Sequence, residues 1–143
     1  MISMTIREAK GNFFDREKVK RAIDANTRRI LSKFGAFVRQ RAKTSIRDHP
    51  GISPPGKPPH SHVGLLRKFI FFAYDAQRRS VVIGPTLLRD DSEAPRLLEF
   101  GGETVRREGG KAKRLYYRAR PFMRPAFEEE LRQLPPLWRD SIR

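Results

Sequence analysis

Between residues 49 and 66 the chain reads "HPGISPPGKPPHSHVGLL" and carries five of its eleven prolines: Pro50, Pro54, Pro55, Pro58 and Pro59. Each proline removes an amide donor and drives the residue before it toward extended geometry. No helix can run through 48–62. The stretch "SPPGKPP" predicts a polyproline-like loop with a turn at Gly56. The chain is thereby divided into a part before the loop and a part after it, and the two have different periodicities.

Before the loop, residues 15–47 predict one long helix. Asp15 stands as N-cap ahead of "REKVKRAI", and no proline interrupts the segment. Apolar residues recur at Val19, Ile23, Ile30, Phe34, Phe37/Val38, Ala42 and Ile46, in steps that fit a 3.6-residue period. Asn26/Thr27 interrupt the stripe, and Gly35 weakens the helix slightly. About 32 residues at 1.5 Å each span roughly 48 Å, long for a domain of this size. Part of the helix is therefore expected to overhang the core and pack on something else, such as a second copy.

After the loop the pattern turns to strands. "GLLRK" predicts a helical turn. "KFIFFAYD" and "SVVIGP" are rich in aromatic and β-branched residues, with "DAQRR" as the hairpin turn between them. "LLRDDSEAP" reads as a polar loop and "RLLEFGG" as a short element ending at a glycine pair, favouring helix over strand. "ETVRREGGKAKR" reads as an exposed basic loop around Gly109/Gly110, and "LYYRARPF" as a third strand. "RPAFEEELRQL" reads as a second helix, with Pro125 in its first turn and Glu128, Glu129 and Glu130 near its positive end. Pro135/Pro136 are expected to stop it, leaving "LWRDSIR" as a tail.

The expected architecture is one α+β domain over residues 1–143. It has a long N-terminal helix (15–47), a proline-rich loop (48–63), a small antiparallel sheet of three to four strands with loops (64–120), and a C-terminal helix (124–134) packed on one face. At 143 residues, 38% hydrophobic with ten Phe, such a chain can bury roughly 68–70% of its unfolded surface.

Charge constrains the partners. Lys and Arg number 31 against 16 Asp and Glu, a net of +15, which calls for an acidic partner such as nucleic acid, an anionic surface or an acidic protein. The cations concentrate in two stretches. Along the long helix they include Arg28, Arg29, Lys33, Arg39, Arg41 and Lys43, and around the glycine pair Arg106, Arg107, Lys111, Lys113 and Arg114 against Glu108. These are the candidate DNA- or partner-facing residues. No helix-turn-helix, zinc-finger or RNA-binding signature accompanies them, so the expected contact is with phosphate rather than with sequence.

Signals for catalysis are weak. All three histidines, His49, His60 and His62, fall in the loop, with Asp48 the only acid nearby. They read as exposed loop residues rather than a metal site. No cysteine is present, so disulfides and thiolate metal sites are excluded. No nucleophile elbow, P-loop or dinucleotide fingerprint occurs. Asp90/Asp91 and Glu128–Glu130 read as solvated charge. No catalytic residue, cofactor or metal is expected. The N-terminus lacks an apolar stretch of signal-peptide length, and "FIFFAY" is far too short to span a membrane.

Three pieces stand in order: "PPGKPPHSHVGLLRKFI", "APRLLEFGG" and "RARPFMRPAFEEEL". Together they resemble the tail-completion, head–tail joining proteins of long-tailed bacteriophages, similar to the minor tail protein Z group. Those proteins have a long N-terminal helix, a P-x-x-T-G-x-L-R-x-S-I lead into the sheet, an E-[FY]-G-T turn, and R-P-F-[LM]-x-P-A opening the last helix. Gly64, Leu66 and Ile70 take the first motif's places. Glu99, Phe100 and Gly101 take the second's, and Arg120, Pro121, Phe122, Met123, Pro125 and Ala126 the third's. Val63 and Gly102 depart from it, standing where the family has a hydroxyl residue. The resemblance implies a structural virion protein and not an enzyme, assembled in the host cytoplasm. It would form a homo-oligomeric ring, a hexamer, at the neck, between head-connector and tail-terminator or tail-tube proteins, with packaged double-stranded DNA nearby. Beside so many arginines, Glu99 itself reads as an ion-pair partner within or between subunits rather than as a catalytic acid. The rival reading is a small basic nucleic-acid-binding protein or nuclease-type toxin using His60 or His62.

Overall fold

The computed structural model describes residues 15–86, 93–139 and 141. Expectations for residues 1–14, for Asp90/Asp91 and for the last two residues lie outside them. Helix α1 (Arg16–Ser45) is uninterrupted, and the Asp15 carboxylate accepts the Lys18 amide at 2.9 Å, the N-cap read from sequence. From its midpoint onward it buries Ile30, Phe34, Val38 and Ala42. In its N-terminal turns Val19 and Ile23 remain exposed, so the overhang expected from its length is present.

Strands β1 (Arg47–Asp48) and β2 (His60–Ser61) pair in parallel and close the base of the proline-rich loop. Inside the loop, Gly56 has φ +78° and the Lys57 amide donates to the Pro54 carbonyl. Pro55 and Gly56 thus form the turn that proline followed by a positive-φ glycine favours. The short helix α2 (Leu65–Lys68) follows from Gly64, which has φ +71°. Val63 supplies no hydroxyl here, but the Ser61 hydroxyl accepts the Gly64 amide at 2.8 Å and fixes the same turn.

Strands β3 (Ile70–Asp75) and β4 (Ser80–Pro85) form the expected hairpin. One face, with Ile70, Phe72, Val81 and Ile83, packs on α1; the other leaves Phe71 and Val82 exposed. At Gly35 the two layers approach closely. A Cβ there would sit 2.7 Å from Val81 Cγ2 and 2.9 Å from a Phe72 ring carbon. A residue that weakens the helix locally thereby lets the hairpin dock on it.

Helix α3 (Ala94–Phe100) ends at Gly101, φ +72°, whose amide bonds the Leu97 carbonyl. Strands β5 (Gly102–Glu108) and β6 (Lys111–Tyr117) then form a second hairpin. This corrects two expectations. The segment taken as a basic loop is a regular antiparallel ribbon, and β6 ends at Tyr117, so "RARPF" lies outside it. Gly109 and Gly110 have φ +58° and +78°, the two positive values that a tight hairpin turn requires. The described strands form three separate two-stranded pairs rather than one sheet of three to four strands.

Helix α4 (Met123–Leu131) packs on α1, placing Phe122 and Ala126 in a core with Phe34, Val38, Ala42, Ile46 and Ile70. Each such large apolar side chain contributes about 1.5–3 kcal/mol by leaving water. Pro135 and Pro136 do not end in a tail. They occupy the first turn of a further helix, α5 (Leu134–Arg139), where missing amides cost nothing. The fold is mixed α+β, with the long helix as its spine. Among the described residues no helix is long and apolar enough to cross a membrane.

Candidate interaction surfaces

The second and third motifs meet at one carboxylate. Glu99, on α3, accepts the amides of Phe122 and Met123 at 2.9 and 3.0 Å through Oε2, and that of Arg124 at 2.8 Å through Oε1. These are orphan donors of the first turn of α4. Read from sequence as an ion-pair partner, Glu99 serves as the N-terminal cap of a helix more than twenty residues away. The acids expected at that end lie further along. Glu128 pairs with Arg124, and Glu130 is buried and pairs with Arg41.

Around that cap the root of the ribbon is clamped. The Arg120 amide donates to the Leu98 carbonyl and its Nε to the Ser53 carbonyl at 2.8 Å, while the Gly56 amide donates to the Ala119 carbonyl at 2.9 Å. The proline-rich loop is therefore tied back onto the base of β6. Gly101 has no room for a side chain, since a Cβ would lie 3.0 Å from both Ala119 N and the Tyr117 carbonyl oxygen. Gly102, φ +132°, takes a conformation that threonine would strain.

The motif residues divide by position. Ile70, Phe122 and Ala126 are core and Leu66 packs against them; Pro121 is half-buried and Pro125 exposed in the first turn of α4. Phe100 is 73% exposed. It lies on the rim of an open groove of about 640 Å³ between β4, α3 and α4, whose floor includes Val81, Ile83, Met123 and Phe127.

His49 and His60 are structural partners of the loop. His49 Nδ1 accepts the Gly51 amide at 2.9 Å, His60 Nδ1 lies 2.9 Å from the Gly51 carbonyl, and the two rings are 4.8 Å apart. Among the described residues no group of three or more His, Asp or Glu is placed to hold a metal ion.

The helix cations do not form one stripe. Arg29 bonds Asn26 and the Ser141 carbonyl, Arg39 donates to the Ile70 carbonyl at 2.8 Å, and Arg41 holds Glu130. Lys33 lies over the Phe37 ring. Arg28, Arg39 and Lys43, spaced by whole turns, share a flank. There, Lys43 lines a cleft with Gln40, Thr44, Arg67 and Lys68. Burial, then the neighbouring charges of Arg39 and Arg67, hold its ammonium below the ordinary lysine value. Arg67 and Lys68 went unnoticed in the sequence because their turn lies next to this flank only in space.

The ribbon does gather its cations. Arg106, Arg107, Lys111, Lys113 and Arg114 occupy its outer half, all exposed. Compared with known proteins, the chain matches no family model, no curated protein and no solved structure.

Proposed function

We propose that the protein is a structural virion component of a tailed bacteriophage, a ring at the neck that completes the tail and joins it to the head. The observation carrying this reading is the joint between motifs. Glu99 of the second caps the helix opened by the third, and Ile70 of the first meets Phe122 of the third in one core. The three pieces that resemble the tail-completion proteins thus act as one structural unit, with no reacting group, cofactor or metal in the scheme.

Exposed apolar surface supports a self-assembling part. Val19 and Ile23 on the overhanging helix, Phe71 and Val82 on the outer hairpin face, and Phe100 on the groove rim remain in solvent in a single copy. Heterologous contacts between such faces close rings when the rotation between copies closes. A hexamer is the expected ring. Head-connector and tail-terminator or tail-tube proteins would sit above and below, with the ring assembled in the host cytoplasm and retained in the virion.

Light scattering after size exclusion, with negative-stain microscopy, tests the proposal. A discrete ring is expected. A monomer at every concentration, together with absence from purified virions, would overturn it. The nuclease-type reading depends on His60 or His62, and His60 is engaged by the loop backbone.

A further inference from the structure

We propose that the β5–β6 ribbon is a double-stranded-DNA-binding arm that lies in a groove of the duplex and holds phosphates on both sides. This does not rest on the neck reading, because one copy carries the whole arm; within a ring it would identify the element that meets DNA.

Shape is the first support. Seven residues per strand extend about 23 Å from the clamped root. The tip is slim: Gly109 and Gly110 make the turn, and nothing lies within 4 Å of where their side chains would be. The major groove of B-DNA, about 12 Å wide, admits a two-stranded ribbon of this kind.

Charge placement is the second. Directly paired residues share a face in an antiparallel ladder. Arg106 opposite Lys113, with Lys111 beyond, therefore lie on one face, and Arg107 with Arg114 on the other. The stretch 106–114 holds five cations and one acid in the sequence. A flat acidic protein would cover one face and leave the other's cations in water. A duplex groove presents phosphate walls to both. Val105 and Tyr116, 57% and 78% exposed, flank Arg114 on the second face and add apolar contact beside it.

The test is fluorescence anisotropy with a 30-base-pair DNA duplex of arbitrary sequence across a salt series, in wild type and in Arg107→Gln/Lys113→Gln/Arg114→Gln. Each phosphate contact contributes about 0.9 to the slope of log affinity against log salt, so the triple variant should flatten that slope by about 2 to 3. The expected affinity loss is more than tenfold, with an unchanged thermal midpoint because these side chains are exposed. Lys18→Gln/Lys20→Gln/Arg21→Gln, an equal charge loss on α1, should flatten the slope by less than about 1. Wild type should also prefer the DNA duplex to an RNA duplex, whose deep, narrow major groove excludes such an arm, and to polyglutamate. Three results would each overturn the arm: equal slopes for the ribbon and α1 triples, no duplex binding by wild type, or binding to polyglutamate or RNA duplex as tight as to DNA. Ring formation is measured separately, so neither proposal's failure would be taken for the other's.

Discussion

The Glu99 carboxylate accepts the Phe122 amide at 2.9 Å, and with it the next two amides of the turn. One side chain thereby fixes where α4 begins and how far it stands from α3. The same contact places the Phe122 ring in the core at 1% exposure. Capping and core packing are coupled through a single residue.

Removing that carboxylate leaves three amides short of an acceptor. Glu99→Ala is expected to lower stability by about 2–3 kcal/mol, the upper range for hydrogen bonds to a charged group. Glu99→Gln keeps an acceptor oxygen and should lose about half as much. Urea unfolding of the two variants checks this; equal and negligible losses would show that the cap is not what sets α4.

Phe122→Ala should cost about 3–5 kcal/mol, the range for truncating a buried aromatic ring. The ring is central to the cluster that joins α1, β3 and α4. A calorimetric midpoint equal to that of wild type would place Phe122 outside the core.

At Gly35, local and tertiary preferences conflict. Alanine in place of glycine within a helix ordinarily gains about 0.5–1 kcal/mol. Here the added methyl meets the branched methyl of Val81 at 2.7 Å and the Phe72 ring at 2.9 Å. Gly35→Ala is expected to destabilise by about 1–3 kcal/mol, as overpacked cores do. Gly35→Ala combined with Val81→Ala should recover part of that loss. An increase in stability in the single variant would mean that the hairpin moves away freely.

Local features were the legible ones. Asp15, the 3.6-residue stripe of α1, the β3–β4 hairpin and the Pro55–Gly56 turn depend on neighbours within a few residues, and the pattern of residue types reports them. The ribbon was missed because strand recognition relies on alternating apolar and polar residues, and cations on both faces erase that alternation. Pro135/Pro136 were read as a stop because proline ends a helix and also suits the first turn of one. Gly35 and Glu99 owe their roles to Val81 and to the 122–124 amides, contacts made only when distant segments fold together. The same holds for the Lys43 cleft, which needs Arg67 from beyond the loop.

Lys43 gives a pH-dependent prediction. Burial and the charges of Arg39 and Arg67 hold its folded pKa below the ordinary value of 10.5. Well below the folded pKa the residue is charged in both states, and the fold bears the whole penalty. As pH rises through the folded pKa toward 10.5 the folded form loses its charge first, and the penalty fades. Lys43→Met, which keeps the aliphatic stem, is therefore expected to unfold at a higher temperature than wild type near neutral pH. The difference between the two should shrink as pH approaches 10.5, because other titrating groups are common to both proteins and cancel. Added salt at neutral pH should narrow it as well, by screening Arg39 and Arg67. A difference that stays constant across the titration would trace the variant's gain to packing rather than to the ammonium charge.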